Sequence, residues 1–429
     1  MKILFVTYDF APYNCIGAVR TTNTASALVG MGHEVKVLSA SDQPYEPSLP
    51  LPGSLIGQEI VRTRWKGLDD VFVSLAHRAT KTSSTGMESF EGAGQGRVKR
   101  MLKRVYMSLI RIPDRFGGWR APALKAGETM LQEWSPDVIY ASSPTPVAFS
   151  VASKLSKKFQ IPWVAEFRDL WGRHPSRNIF KIRRYFDCLW ERQVLRSVSG
   201  LVTVSNDLKA TLDRCYPNIP TQLIYNSYND ELLVPAAAVE DGILDKALFN
   251  IVYTGRVYWG NQDFSAFFNA LIKVREEGYD PRLTVCGTNH TQTIRLAENV
   301  GLSECVRNLG KVDYATSRQL QKEADCLLIL QWNDPAQKGI LTGKFFEYLQ
   351  TGKPILATGY SNNELGEIIT TRQLGHSSDD DSAIADWLID KINEKSKNGG
   401  VDAVPHPGCR EFSCKEQTRR LGLFLEEII

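Results

Sequence analysis

No uninterrupted apolar run in the 429 residues approaches the ~18–20 needed to cross a bilayer, so no membrane-spanning helix is expected. The eight cysteines contain no CxxC pair and lie scattered, several beside apolar neighbours, which favours reduced packing residues over a metal site or disulfide framework. The six histidines show no HExxH or comparable ligand spacing, so no metal is expected, and His33 in Gly32-His33-Glu34 belongs to a turn. Excess charge of one sign is missing too. With 51 Lys+Arg against 48 Asp+Glu and a net charge of +3, no global field argues for nucleic acid, and any anionic ligand needs a local site. The opening MKILFVTYDF turns polar at Tyr8-Asp9 and offers no small-residue cleavage site; Ile3–Val6 reads as a strand, and a cytoplasmic location is expected.

What is present is an alternation of short β-branched runs with helix-length segments, the pattern of parallel sheets covered by helices. A first set of strands is predicted at Lys2–Thr7, Glu34–Leu38, Ile60–Arg64, Asp137–Ala141, Trp163–Glu166, Leu201–Val204 and Gln222–Tyr225. A second follows at Phe249–Tyr253, Arg282–Cys286, Val306–Leu309, Asp325–Leu330 and Pro354–Ala357. These make two α/β domains of similar size, with a boundary near Leu232–Asp241. A helix is predicted over Thr21–Met31, closed by Gly32. Near the end, Leu421, Phe424, Leu425 and Ile428 form one apolar helical stripe within Phe412–Ile429. Lys81–Gly96 is Gly/Ser-rich and reads as a mobile loop. Arg97–Arg111 after it is a basic amphipathic helix, which either docks on anionic lipid at the inner membrane face or packs on the core with a solvated basic face.

Chemistry concentrates in four places. In Lys338–Pro354 a Gly/Thr/Lys turn precedes a short helix, so free amides, the helix dipole and Lys344 suit a phosphate, and Glu347 one turn on suits two ribose hydroxyls. The competing reading is an exposed Lys-Glu pair. Phe249–Asp263 runs from a strand into a Gly-bearing loop, where Arg256 either pairs with a diphosphate or is a surface arginine on a turn. The loop Tyr8–Arg20 lacks GxGxxG, with only Gly17 for close approach. No acid ends the second strand at Leu38-Ser39-Ala40, which disfavours a nicotinamide dehydrogenase. Finally, Glu166, Arg168 and Asp169 close a buried strand beside Ser142-Ser143-Pro144. Burial makes that charge costly unless it forms an internal salt bridge or has a function.

Taken in order, FAPYNCIGAVR, GHEVKVL, IPDRFGGW, DVIYASSPTP, PWVAEFRDLW, LVTVSNDLK, LIYNSYND, YTGRVYWGNQD, ADCLLIL and TGKFFEYLQTGKPILATG resemble the family-4 retaining glycosyltransferases of GT-B fold over nearly the whole chain. FRDLW and TGKFFEYLQTGKP look most like bacterial enzymes of exopolysaccharide, capsule or O-antigen synthesis. The resemblance implies two Rossmann-like doubly wound parallel-sheet domains with an inter-domain cleft. Residues 1–232 plus 410–429, the latter a returning helix, would bind a glycan or lipid-linked acceptor, and residues 233–409 a nucleotide-diphosphate sugar. No cofactor is implied. The resemblance places Arg256, Lys344 and Arg168 in catalysis, Glu347, Thr342, Gly343, Gly255 and Asn261 at the donor, and Gly17, Arg20, Ser143 and Asp169 on the acceptor side. Glu347 matches the second glutamate of the family's E-x7-E element, and Gly339 stands at the first. The family's GRxxxxKG reads GRVYWGNQ, so Arg256 is kept, Asn261 replaces the lysine, and Lys344 is the cation to take over its role; the usual Asn-Gly turn reads Asn226-Ser227. A nucleotide-sugar epimerase of the same architecture and a non-catalytic nucleotide-sugar-binding protein are the alternatives.

Overall fold

The computed structural model describes residues 1–43, 45–65, 114, 116–143, 146–174, 179–228, 242–404 and 409–429. Three expectations lie outside the described residues: the Gly/Ser-rich Lys81–Gly96, the basic Arg97–Arg111 and the boundary at Leu232–Asp241. The chain divides into two compact units. The first comprises Met1–Val204, Leu208–Ile224 and Thr418–Ile429, and the second Ser205–Asp207 and Tyr225–Gln417.

The first unit is built on seven strands, β1 (Lys2–Thr7), β2 (Glu34–Ala40), β3 (Ile60–Thr63), β4 (Val138–Ser143), β5 (Trp163–Phe167), β6 (Gly200–Thr203) and β7 (Thr221–Leu223). All pair in parallel, in the order β3-β2-β1-β4-β5-β6-β7. Central strands such as Val138–Ser143 and Trp163–Phe167 are buried at every position, which is why they read as largely apolar segments broken only by Ser142, Ser143 and Glu166. Alternate side chains feed two cores. Leu4, Val6, Ile139, Ala141, Ala165 and Phe167 face one set of helices. Ile3, Phe5, Val138, Tyr140, Val164 and Val202 face the other, where Leu421, Phe424 and Leu425 of the closing helix Cys414–Ile428 are also buried. Each buried Val, Leu, Ile or Phe side chain contributes roughly 1.5–3 kcal/mol of burial.

The second unit repeats the plan with β8 (Phe249–Thr254), β9 (Pro281–Cys286), β10 (Val306–Asn308), β11 (Cys326–Leu330), β12 (Ile355–Thr358) and β13 (Gly375–Ser378), parallel in the order β10-β9-β8-β11-β12-β13. Both sheets therefore reverse direction beside their first strand, between β1 and β4 and between β8 and β11. In open α/β sheets ligands bind outside the carboxyl ends of strands at such a reversal. Of the thirteen strands among the described residues, twelve fall where the apolar runs predict them. The last, Gly375–Ser378, has no apolar run to announce it. It is an edge strand paired only with Ile355–Thr358, and a β-carbon at Gly375 would stand 2.0 Å from the Ile355 carbonyl oxygen, so close pairing requires glycine there.

The first helix spans Ile16–Gly30, five residues earlier than its predicted start. Its beginning is set by Cys15, whose Sγ accepts from the Ala18 amide at 3.4 Å, an N-cap that the usual Ser/Thr/Asp/Asn signal misses. No disulfide joins any of the eight cysteines among the described residues.

Candidate active site

In the second unit, β8 ends at Thr254 and hands the chain to Gly255-Arg256. Gly255 has φ +110, a conformation side chains avoid, and its amide donates to the Cys286 carbonyl at 2.8 Å. Gly287, at the end of β9, lies so near that a β-carbon there would be 2.2 Å from the Gly255 oxygen. His290 fixes the same carbonyl: its Nε2 sits 2.9 Å from the Gly255 oxygen, and since a carbonyl only accepts, Nε2 carries the proton. Burial lowers the His290 pKa, which keeps the ring neutral.

Lys344 lies over this glycine, with its Cε 3.0 Å from where a Gly255 β-carbon would be. Its ammonium turns to Tyr253, donating to the hydroxyl at 2.7 Å and lying 4.1 Å from the ring centroid. The Tyr253 hydroxyl in turn donates to the Arg256 carbonyl at 2.8 Å. Tyr253 thus joins the two cations that the sequence singled out from separate segments. Burial pushes the Lys344 ammonium down to about 8, against a smaller upward pull from Glu347. The Arg256 side chain is exposed and lies 5.6 Å from the ring of Tyr258, which stacks on Trp332 at 5.9 Å.

The short helix Gly343–Leu349 begins at this point, with Thr342 as its N-cap. The Thr342 hydroxyl makes no cap bond and is buried without a hydrogen-bond partner, a polar group with capacity for a ligand. Glu347 is exposed one turn on, and Arg318 holds its backbone by donating to the Glu347 carbonyl at 2.9 Å. The protein around Glu347 lifts its carboxyl above the ordinary range, while Arg318, Gln321 and Lys344 pull it down. Lys344 and Glu347 are thus not a simple surface pair, because the ammonium is engaged with the sheet. Asn261 is exposed, and its backbone closes the loop by accepting from the Asn333 amide at 2.8 Å. Gly339 has no space for a side chain, since a β-carbon would meet Asp207 Cβ at 2.5 Å.

In the first unit, two of the expected acceptor-side positions, Gly17 and Ser143, meet the expected catalytic Arg168 at the β1/β4 reversal. Arg168 donates through Nη1 to the Gly17 carbonyl at 2.9 Å and through Nε to the Ser143 carbonyl, and its Nη2 lies 3.6 Å from Asp9 Oδ2. Both partners of this ion pair are buried. Gly17 is needed: a β-carbon would be 2.3 Å from Asp9 Oδ2. Arg20 is committed elsewhere, gripping Glu166 Oε1 through Nη2 at 2.6 Å and Nε at 3.0 Å, and Ser142 donates to the other carboxylate oxygen. Burial raises the Glu166 pKa, yet Arg20, Arg168 and Ser142 outweigh it and hold the carboxyl below its ordinary value. Asp169 stands apart, exposed and 3.9 Å from His174.

The residues missed by sequence reasoning are Asp9, Tyr253, Gly287, His290 and Arg318. None sits in a signalling spacing; Asp9 and Gly287 follow the strands β1 and β9, Tyr253 lies in β8, and His290 and Arg318 come from the start or body of neighbouring helices.

Two doubly wound parallel-sheet units in one chain, each carrying polar residues at its sheet reversal, define a protein of GT-B fold. The glycosyl transferase 4-like domain matches residues 17–226 and the glycosyl transferases group 1 domain matches residues 249–393. The chain belongs to the family-4 type of GT-B glycosyltransferases. No curated protein matches it by sequence. Among solved structures it is similar to Anabaena HepE in complex with UDP, at 15% identity over 100% of both chains with a TM-score of 0.63. Sucrose-phosphate synthase from Thermosynechococcus elongatus aligns at 12% identity over 100% of this chain and 99% of that one, TM-score 0.62. The UDP-GlcNAc 2-epimerase of Methanocaldococcus jannaschii aligns at 13% identity over 100% of both chains, TM-score 0.52. Identities this low speak for the fold alone. No helix among the described residues is long and apolar enough to cross a membrane.

Proposed function

We propose that this glycosyltransferase moves a sugar from a nucleotide-diphosphate sugar to a glycan or lipid-linked acceptor, with retention of anomeric configuration, in cell-surface polysaccharide synthesis. The observation that carries the reading is the junction at Tyr253, which aligns Lys344 with the strand end bearing Arg256, at the head of a helix whose N-cap hydroxyl has no partner. In this reading the bond from the anomeric carbon to the diphosphate oxygen breaks and the diphosphate keeps the electron pair. A new bond forms to the acceptor oxygen, whose proton passes to the departing diphosphate. Negative charge grows on the leaving oxygens, where preorganised cations lower the barrier most. Lys344 and Arg256 supply that charge, with the Thr342 hydroxyl and the amides of Gly343 and Lys344 beside them, and no metal enters the reaction. Glu347 receives the ribose hydroxyls. Gly255 allows Lys344 to approach, and Asn261 shapes the loop after β8. Arg168 acts by holding the Gly17 and Ser143 backbones where the acceptor hydroxyl arrives, with Arg20 and Asp169 on the same side. That HepE was solved in complex with UDP supports a nucleotide-sugar donor.

The test is a panel of nucleotide sugars added to the wild type, Lys344→Ala and Glu347→Gln, read by thermal shift. A ligand bound only by the folded form raises the melting temperature. The expected result is a rise for the wild type with one donor and a smaller rise for both variants; no rise with any donor overturns the reading. The likeness to an epimerase favours a second reading. Conversion of the nucleotide sugar in the absence of any acceptor would establish it.

A further inference from the structure

The helix Lys181–Val194 is turned inside out. Its buried face carries Arg183, Asp187 and Glu191, while Ile182, Tyr185, Phe186 and Leu189 are 65%, 60%, 57% and 41% exposed. These four follow i, i+3, i+4, i+7, the spacing that normally faces a core. The inversion is anchored, not slack. Arg183 Nε binds Asp187 at 2.7 Å, and Glu191 accepts from the Gly172 amide at 2.8 Å, Arg173 at 3.0 Å and the Tyr216 hydroxyl at 2.5 Å. Rotating the apolar stripe inward would strip Glu191 of Gly172, Arg173 and Tyr216 and carry the intact Arg183–Asp187 pair out of its buried site; leaving a buried carboxylate without its partners costs more than the apolar burial regained. The stripe is therefore held outward, with the Tyr185 and Phe186 rings packed on one another at 5.8 Å.

We infer that this face is a docking surface for an anionic lipid bilayer. Contiguous exposed apolar side chains mark interaction sites, and their company names the partner. Lys181, Arg192 and Arg196 are exposed at the two ends of the stripe. Lys154 and Lys157 are exposed on the helix Pro146–Phe159, which is tied to this one by the Ser153 hydroxyl donating to the Val194 carbonyl at 2.9 Å. Both acids of the Lys181–Val194 helix are buried and bonded, so the outward face of this helix offers cations and apolar groups with no carboxylate of its own. Aromatic and aliphatic groups enter the acyl boundary while basic side chains meet anionic headgroups. The same charge opposes other occupants. A twofold contact between two copies would set Lys181, Arg192 and Arg196 against their own kind. The chain's own Arg97–Arg111 stretch, with six basic residues, is equally ill matched.

The inference is independent of the donor reading, because vesicle binding is measured without nucleotide sugar or acceptor. The full chain is centrifuged with vesicles of phosphatidylethanolamine and phosphatidylglycerol, or of phosphatidylcholine alone, at low and high salt. The expected result is binding to the anionic vesicles that weakens with salt and is far lower on phosphatidylcholine. Phe186→Asp/Leu189→Asp, at exposed positions, should keep its melting temperature and lose binding at least ~10-fold, as expected from removing two membrane-entering side chains. Arg192→Glu/Arg196→Glu should weaken binding by roughly fivefold or more for each cation lost. Three results overturn the proposal: no binding of wild type to anionic vesicles, binding unchanged in both folded variants, or a wild-type dimer in light scattering that Phe186→Asp/Leu189→Asp splits.

Discussion

Gly339 and Asp207 compete for one space: a β-carbon on residue 339 would stand 2.5 Å from Asp207 Cβ and 3.0 Å from its Oδ2. The missing first carboxylate of the E-x7-E element is therefore not a simple deletion that a back-substitution could repair. Gly339→Glu should lower stability by about 1–3 kcal/mol through overpacking and leave turnover no higher. Thermal unfolding of Gly339→Glu, Asp207→Gly and the double variant checks this. The double variant should recover most of the loss, because residues in contact do not add.

Glu347 is exposed and waits on a ligand in the proposed reaction. Glu347→Gln should cut kcat/KM by roughly 10–150-fold, the value of a charged hydrogen bond of ~1.5–3 kcal/mol. Steady-state kinetics with a verified donor read it, and an unchanged kcat/KM would remove Glu347 from the ribose.

Burial pushes the Lys344 ammonium down to about 8 from an ordinary 10.5. Donor affinity should accordingly fall as pH rises through about 8, where the ammonium is lost. For stability the sign is opposite. Between about 8 and 10.5 the unfolded chain binds the proton that the folded chain has released, so stability gains with rising pH across that window. Lys344→Met should flatten both dependences, which calorimetric titration and thermal melts measure separately.

Glu166 behaves in the other direction. Its folded pKa lies below the ordinary 4.5, so its contribution is present above that value and is lost as pH falls through the lower folded one. Glu166→Gln should cost about 1.5–3 kcal/mol near neutrality, the value of a charged hydrogen bond to Arg20, and weaken acid dependence. Denaturant unfolding from neutral to acid pH tests both.

Arg168 and Asp9 are paired only because residue 17 has no side chain. Gly17→Ala should push the Asp9 carboxylate away, destabilise by roughly 1–3 kcal/mol and reduce kcat/KM, since the loop that Arg168 organises would shift. Retention of full stability and activity would show that the pair tolerates displacement and that Gly17 is not required for close approach.

Much of this was legible in the chain. A strand such as Cys326–Leu330 is buried throughout, and full burial writes itself as an apolar run. The short helix carrying Lys344 and Glu347, and the strand end carrying Arg256, were visible because glycine, threonine and charge interrupt those runs. The Arg20–Glu166 bond was not, since its partners are 146 residues apart and nothing local distinguishes an arginine destined for burial. Tyr253 reads as one more apolar strand residue, and only the approach of Lys344 gives its hydroxyl a role.

The amino-acid sequence by itself determined the two parallel-sheet units, the glycosyltransferase family and the identity of the candidate cations, because strand burial and loop composition are local properties of the chain. Only the tertiary structure decided which charges neutralise one another, that no side chain fits at residue 339, and that Ile182, Tyr185, Phe186 and Leu189 face outward. Periodicity states that a helix has an apolar face. Which way that face turns depends on partners supplied by distant segments, here Gly172, Arg173 and Tyr216 holding Glu191 inside.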